Sequence, residues 1–272
     1  MRKLLFLCGI TLLFFTVGCS DDDSDVLNSN LANYYPLENN NSWTYTNRLN
    51  IEQQENQEGT ETLTAVDAGN NAYTFEREGD ILTGFASSIL TNGEVTKQNN
   101  SLLYNGALTI DLSEFGSFPI NLEPIVFSIE NAKLYDKAAS AGTNLFSNSN
   151  QITQELSFEG QSFDLVIDYD IFIDQGQKLD NYSVATESFA DVITSKIGLR
   201  MSISAIVGGF ISLPLLDETE VISSTNYFAK DIGLIYNETQ YDIATEAISE
   251  INIPSLEYHA VLSQVIDSYS FN

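Results

Sequence analysis

The chain has 272 residues, 43% of them hydrophobic, with 38 acidic against 11 basic side chains and a formal net charge of -27. This hydrophobic content is enough for a buried core and excludes wholesale disorder. The acidity excludes nucleic acid as a partner, because a phosphate backbone would be repelled. One His and two Cys are too few for a His/Cys zinc site or a disulfide framework, and no cofactor is predicted.

The first 18 residues have the pattern of an export leader. Arg2 and Lys3 precede an apolar stretch at 4–17, which as a helix would reach only about 21 Å at about 1.5 Å per residue. A bilayer core is about 30 Å thick and needs about 20 apolar residues. Residues 1–18 are therefore predicted to be a signal peptide rather than a permanent membrane span.

The end of this leader, Thr16-Val17-Gly18-Cys19, resembles the lipobox of bacterial lipoproteins. The resemblance implies that the thiol of Cys19 receives a diacylglyceryl group, and that cleavage before Cys19 frees an amine for a further, palmitate-type acyl chain. Each buried CH₂ contributes about 0.8 kcal/mol, so three chains would anchor the protein almost permanently. Thr16 stands where Leu or Val is usual, and an ordinary secretory leader is the alternative.

Residues 19–32 are acidic and rich in Asn, which predicts a solvated, extended tether. The run Cys19-Ser20-Asp21-Asp22-Asp23 resembles the export signal of surface-exposed lipoproteins in Bacteroidetes-type bacteria. That resemblance implies display on the cell surface; an inward-facing outer-membrane location, with the run acting as a charged spacer, is the alternative. No calcium site is predicted here, because the run lacks the spaced ligands, the Gly and the closing Glu of an EF-hand loop.

Residues 33–272 are predicted to form one β-rich domain. The clearest strand is 163–174, where every odd position is apolar and the even positions include Asp164, Asp168, Asp170 and Asp174. Alternation with period two predicts a strand with one buried and one wet face. Residues 174–178 are predicted to be its turn.

Further strands are predicted from the same alternation and from β-favouring composition: 43–50, 72–77, 102–111, 151–158, 193–207, 221–228, 234–241 and 257–270. Asn and Gly at 69–71 and 92–93 predict hairpin turns. Residues 129–144 are predicted to hold a short helix or an ordered loop, and 242–253 are ambiguous. The predicted fold class is mainly β: a single antiparallel, strongly curved sheet or open barrel with one or two short helices, with a β-sandwich as the alternative.

Three segments together resemble a large, mostly uncharacterised group of bacterial (Bacteroidetes-type) outer-membrane lipoproteins. They are 34–45 (YYPLENNNSWTY), 189–192 (FADV) and 227–235 (YFAKDIGLI). The resemblance implies a curved sheet like that of bacterial lipoprotein-carrier proteins, in which a concave apolar face can shelter acyl chains. Asn40-Asn41 and Asp231 stand where this group has Gly, and Asn and Asp can also adopt the left-handed conformation that such turns need.

The candidate catalytic groups are few. A Ser–His–Asp site would have to use His259, the only His, but the chain has no G-x-S-x-G elbow, and a surface His is the simpler interpretation. Asp168 and Asp170 would lie about 6.6 Å apart, at about 3.3 Å per residue, within the range of glycoside-hydrolase carboxylates. They share a wet face, however, where both stay ionised and neither is a good acid.

Aromatic and glycine-containing segments offer weaker candidates. Trp43 with Tyr34, Tyr35 and Tyr45 could form a platform for sugars, but alternating aromatics in a strand are more often core. Gly208-Gly209 and Gly233 lack the context of a phosphate-binding loop, and they are interpreted as bulge or turn glycines.

The predicted function is a lipid-anchored, non-enzymatic binding or interaction module in the outer membrane. Its partner would be an acyl chain, a glycan or an envelope protein. A carboxylate-based hydrolase is the alternative, and a purely structural envelope component is a third possibility. A binding module should show a concave pocket lined by Phe, Ile and Leu, whereas a hydrolase should show two carboxylates converging in a cleft. No catalytic, metal or cofactor residue is assigned.

Overall fold

The computed structural model describes residues 33–111, 123–158, 161–247 and 254–272, which belong to one compact unit, Ala32–Asn272. The predicted leader, Cys19 and the acidic tether lie outside the described residues. The described elements are, in chain order: β1 Ser42–Ile51, β2 Gln57–Gly69, β3 Ala72–Gly79, α1 Phe85–Thr91, β4 Gly93–Gln98, β5 Ser101–Ile110, β6 Ile125–Asp136, β7 Asn144–Phe158, β8 Gln161–Val184, β9 Glu187–Val207, β10 Ile211–Ala229, β11 Gly233–Thr245 and β12 Leu256–Ser270.

All twelve strands form a single antiparallel sheet in the order β6-β5-β4-β3-β2-β1-β12-β11-β10-β9-β8-β7. Strands that follow one another in the chain are neighbours except at the two edges, β6 and β7, and the first and last strands pair in the middle of the sheet. The sheet curls until it is nearly closed and barrel-shaped, with one unsealed seam. The predicted fold class is therefore confirmed, and the β-sandwich alternative is wrong.

The seam between β6 and β7 is bridged by side chains. The Asn148 amide donates to the carbonyl oxygen of Ser128 at 3.1 Å, and the side-chain oxygen of Gln175 on β8 accepts from the backbone N–H of Asp136 at 2.8 Å. These contacts bring the two edge strands together without a continuous backbone ladder in the described residues. Each edge is thereby partly protected from pairing with another chain.

The alternation in β8 has the predicted effect. Ile167 and Ile171 point into the sheet's interior and are fully buried, whereas Asp168 lies on the outer face and is exposed. The predicted turn at 174–178 is wrong, because β8 continues through it to Val184. The pairing with β9 shifts register between Gln175 and Lys178, so the polar residues form a bulge within the strand rather than a reversal.

The position of the helix also differs from the prediction. Residues 129–136 belong to β6, and the one helix of the described residues is α1, at Phe85–Thr91. Asn131 on β6 has a φ of 55°, and the register shifts nearby, which breaks the alternation that would have identified a strand. Asn92-Gly93 joins α1 to β4 instead of closing a hairpin, whereas the turn at 69–71 is confirmed between β2 and β3.

The helix α1 lies on the concave side of the sheet and contacts strands on two sides of it, β3 to β5 and β11 to β12. Phe85, Ala86, Ile89 and Leu90 follow the spacing of one helix face and are all buried. No helix in the described ranges has the length and apolar character needed to cross a bilayer.

Candidate functional site

The interior of the sheet has three layers, which can be followed along β1. Its inward side chains are first the aromatic Trp43 and Tyr45, then the amide Asn47, and then Leu49 and Ile51. The aromatic layer fills the end of the sheet at which the described chain begins, called here the closed end. The last two residues face a cavity at the opposite end, called the open end.

The closed end is filled by a cluster of aromatic rings. Tyr35 and Trp43 are fully buried, with ring centroids 4.9 Å apart, and Phe75 and Phe228 contact the same Tyr35 ring. Trp43 and Tyr45 donate hydrogen bonds to the carbonyl oxygens of residues 232 and 234 at 2.6 and 3.1 Å. This packing places Trp43 and its neighbours in the core, which confirms the favoured interpretation of these aromatic residues over the sugar platform.

The three segments that carry the family resemblance meet at this closed end. The hydroxyl of Tyr34 donates to Oδ1 of Asp191 at 2.6 Å, and burial, followed by this hydrogen bond to a carboxylate, raises the pKa of Tyr34. The N–H of Lys230 donates to the carbonyl oxygen of Asp191 at 3.0 Å, and the N–H of Asp231 donates to that of Asn33 at 2.6 Å. The three segments thus form one structural unit at the closed end of the sheet.

Left-handed backbone positions shape these turns as the sequence predicted. Asn40 has a φ of 67° and Asp231 a φ of 59°, so Asn and Asp adopt the conformations for which Gly is otherwise preferred. Gly233, with a φ of +110°, is needed for space as well, since a Cβ there would lie 2.9 Å from Nε1 of Trp43. Conformation and close packing together explain the residue types in this segment.

The middle layer is a row of buried polar side chains on six adjacent strands, from β8 through β12 to β1. Each member lies directly opposite the next in the strand pairing, and each is at most 3% exposed. The members of this polar row are Gln175, Ser195, Asn226, Asn237, Gln264 and Asn47. The side-chain oxygens of Ser195, Gln264 and Asn47 have no partner among the described residues, and such oxygens are where proteins retain buried water.

A buried carboxylate joins the polar row to α1. Glu61 accepts hydrogen bonds from the N–H of Gly84 at 3.0 Å and from the amide of Gln264 at 3.1 Å, and it pairs with Arg77 at 2.5 Å. Gly84 is the N-cap residue of α1, and Glu61 satisfies its backbone N–H in the buried interior. A Cβ on Gly84 would lie 2.4 Å from the side-chain oxygen of Gln264, so this contact fixes where the helix starts.

Beyond the polar row, at the open end, lies a cavity of about 910 Å³. Strands β1, β5, β10, β11 and β12 form its wall together with α1 and the segment before the helix. Six of its lining side chains are apolar and buried: Phe85, Leu108, Ile110, Ile222, Tyr258 and Leu262. The volume lies in the range that proteins use for small-molecule ligands, and the wall is of the apolar kind that such sites prefer.

The rim of the cavity is polar and acidic. Gln57, Glu58, Asp80 and Thr109 line it and are exposed, and the half-buried Asp111 completes its three carboxylates. The backbone N–H and hydroxyl of Thr60 donate to Oδ2 of Asp80, and these hydrogen bonds lower the pKa of the Asp80 carboxyl. The cavity therefore combines an apolar wall with a negatively charged mouth.

The structure places the predicted catalytic candidates outside this cavity. The His259 side chain is 38% exposed, and its nitrogens lie 3.0 Å from Asp242 and 3.3 Å from Glu257 on the outer face of the sheet. The predicted surface position of His259 is confirmed.

The carboxylates of β8 are engaged on the same outer face. Asp168 accepts a hydrogen bond from Gln151 at 2.7 Å, and Asp170 accepts from two serines and from Arg200. The predicted wet face of β8 is confirmed, and Asp168 and Asp170 lie on it rather than among the residues that line the cavity.

A second aromatic cluster, which the sequence did not indicate, lies on the outer face. The rings of Tyr182 and Tyr227 stack with centroids 4.2 Å apart, and Tyr236 is 5.5 Å from Tyr227. These rings pack over a small outer core that includes Val184 and Ile235. Because the stacked rings cover each other's faces, the cluster stabilises the closed end rather than presenting an open stacking surface.

Within the described ranges, no group of three or more His, Cys, Asp or Glu side chains is placed to hold a metal ion. The acidic run at Asp21–Asp25 lies outside these ranges. Comparison of the chain with known protein families, with curated proteins and with solved structures finds no match.

Proposed function

We propose that the protein is a lipid-anchored outer-membrane lipoprotein, displayed on the cell surface, whose domain is a non-enzymatic module that binds small apolar molecules. The observation that carries this proposal is the cavity of about 910 Å³ at the open end. Its wall contains Phe, Ile, Leu and Tyr side chains from separate strands and from α1. A molecule with an acyl or similar chain fits this wall because burial of apolar surface supplies most of the free energy of binding.

The architecture favours a cavity that stays open rather than one that collapses into the core. Glu61 accepts from the N-cap residue of α1, and the Gln264 amide donates to the hydroxyl of Ser87 on the helix. The helix therefore cannot move into the space without breaking buried hydrogen bonds, which cost about 1–3 kcal/mol each when left unmade. The polar row separates the cavity from the aromatic core at the closed end. Of the predicted ligands, this geometry favours an acyl chain over a glycan. The aromatic residues that could have stacked on a sugar, Trp43 and the tyrosines around it, are buried in the core.

The lipid anchor rests on the leader and on Cys19. Asn33, where the described chain begins, belongs to the closed end, so a lipid on Cys19 would be joined to the domain at the end remote from the cavity. Fourteen residues, 19–32, would span at most about 46 Å at about 3.3 Å per residue. Metabolic labelling with a fatty-acid probe tests the anchor: labelling is expected for the wild type and absent for Cys19→Ala, and equal labelling of both would refute it.

The binding function is tested by purifying the protein from its native membrane and identifying bound small molecules by mass spectrometry. An apolar molecule in near-stoichiometric amount is expected with the wild type and should be lost from Leu262→Trp, which fills the cavity. Val261→Trp is the matched control, because Val261 is the neighbouring residue on the outer face and is already 36% exposed. Ile222→Phe is a milder second variant, in case the larger ring prevents folding. No bound molecule, or equal retention in all variants, would overturn the proposal.

A further inference from the structure

We propose that the cavity selects its ligand by head-group charge, binding amphiphiles with a neutral or cationic head and rejecting those with a carboxylate, sulfonate or phosphate head. The inference rests on the proposed function and specifies the ligand class of the same site. It follows from the distribution of charge around the mouth, independently of the apolar wall that would hold the tail.

All ionisable carboxyl and basic groups that line the cavity have the same sign. Glu58, Asp80 and Asp111 are carboxylates, and no Lys, Arg or His is among the described residues that line the cavity. The hydrogen bonds from Thr60 keep Asp80 in its ionised form. Arg48 offsets the charge of Glu58, but the lining offers no basic group to an anionic head, which would meet the ionised Asp80 at the mouth. This repulsion costs affinity most at low ionic strength.

The nearby basic side chains are already engaged. Arg48 pairs with Glu58 at 2.8 Å. Arg77 pairs with the buried Glu61 and also donates to the carbonyl oxygen of Asp80. Both guanidinium groups therefore have carboxylate partners, so an anionic head would have to displace one of these to gain a cation. The segments 112–122 and 248–253, which the structure does not describe, contain no Lys, Arg or His.

The apolar wall and the acidic rim together define the occupant. The tail is bound among Phe85, Leu108, Ile222 and Leu262, and the head lies at the rim beside Glu58 and Asp80. A cationic head gains attraction from these carboxylates, and a neutral polar head can donate hydrogen bonds to them. The ligand class is thus an amphiphile such as an amine-bearing or hydroxyl-bearing lipid, rather than a free fatty acid.

The test uses the chain from residue 19 with Cys19→Ala, so that no attached lipid competes; this chain contains the whole compact unit Ala32–Asn272. The neutral fluorophore N-phenyl-1-naphthylamine is bound first and is then displaced by dodecyltrimethylammonium or by dodecanoate, which have tails of matched length. The cation is expected to displace the fluorophore at about a tenfold lower concentration than the anion in low salt, and this ratio should shrink in high salt as screening increases.

Charge variants separate the rim from the overall acidity of the protein. Glu58→Gln with Asp80→Asn should reduce the preference for the cation to about threefold or less, since the double variant removes the Asp80 charge and releases Arg48 from its acidic partner. Asp168→Asn, which removes a charge from the outer face of β8, should leave the ratio unchanged. An equal effect of the rim and the outer-face variants would overturn the inference.

The two proposals fail differently. If the fluorophore does not bind, or binds equally to Leu262→Trp, the proposed function fails. If the fluorophore binds in the cavity but the anionic and cationic competitors displace it equally, the binding function stands and the charge selection is wrong.

Discussion

The indole Nε1 of Trp43 donates a hydrogen bond to the carbonyl oxygen of Ile232 at 2.6 Å, joining the start of β1 to the turn between β10 and β11 at the closed end. Trp43 is fully buried, and Gly233, next to the acceptor, leaves just enough room for the indole ring. The pair links two segments that are 189 residues apart in sequence, so the packing of the closed end includes a contact of high sequence separation.

Replacing Trp43 by Phe should destabilise the domain, because it leaves the carbonyl oxygen of Ile232 buried without a donor. The free energy of unfolding, measured by urea denaturation, is expected to fall by about 1–3 kcal/mol. Tyr269→Phe is the control at the same end of the sheet, since Tyr269 is 45% exposed and should change stability by no more than about 0.5 kcal/mol. Equal stability of the two variants would contradict a structural role for the Trp43 hydrogen bond.

Asp231 provides a test of backbone conformation, because its φ is 59° while its side chain is exposed. Asp231→Gly should be as stable as the wild type or more stable by up to about 1 kcal/mol. Asp231→Val should be less stable by about 1–2 kcal/mol, since a β-branched side chain tolerates the left-handed conformation much less well than the short polar side chain of Asp. Lys230→Val, one position earlier, is the control for changing an exposed charge to Val. Thermal unfolding of the four proteins gives the comparison, and a stable Asp231→Val would refute the conformational explanation.

The buried and exposed ion pairs on the first strands should differ in their contributions to stability. Glu61→Leu leaves Arg77 without its partner and removes the acceptor for Gly84, so a loss of about 3–5 kcal/mol is expected, at the lower end because the Arg77 side chain is 22% exposed. The double variant Glu61→Leu with Arg77→Leu should recover part of this loss.

Glu58→Gln is the matched control for Glu61. Its pair with Arg48 has 57% and 63% exposed side chains, and such pairs contribute about 0–1 kcal/mol. Urea denaturation measures all three variants. If Glu58→Gln cost as much as Glu61→Leu, burial would not be what makes the Glu61 pair important.

The alternation of side chains predicted β8 but not β2, in which a glycine and a charged residue face inward. β8 was identified because Ile167, Tyr169 and Ile171 alternate with Asp168 and Asp170. β2 was missed because two of its inward positions are Gly59 and the buried acid Glu61. The local sequence of β2 therefore indicates a polar segment rather than a strand. The carboxylate of Glu61 can be buried because it pairs with Arg77, a contact that the sequence of β2 alone does not show.

The cavity could not be predicted, since its lining comes from six strands and a helix that are distant in the chain. The polar row left a detectable signal: Asn47 occupies the same phase as Trp43, Tyr45 and Leu49 in β1, and so it had to face the interior. That five further polar side chains lie beside it follows only from the register of the paired strands. Spacing within one strand gives the face of a residue, but the sheet pairing decides which residues meet.

The hydroxyl of Tyr104 links α1 to β5 and should give the protein a specific response to alkaline pH. It donates to the carbonyl oxygen of Ile89 at 2.8 Å, and burial raises the pKa of Tyr104 to about 12. In the unfolded chain the pKa is about 10, so the unfolded state loses this proton first. The stabilising contribution of neutral Tyr104 is therefore fully present below pH 10 and is lost as the pH rises towards 12.

Urea denaturation at a series of pH values between 9 and 12 measures this effect. The free energy of unfolding should fall less steeply with pH for Tyr104→Phe than for the wild type, because the substituted ring has no proton to lose. Tyr269→Phe, at an exposed position, should follow the wild-type slope, and absorbance at the wavelength of tyrosinate should show one late-titrating group fewer in Tyr104→Phe alone. If the slope for Tyr104→Phe matched that of the wild type, the buried hydroxyl of Tyr104 would not contribute to the loss of stability at alkaline pH.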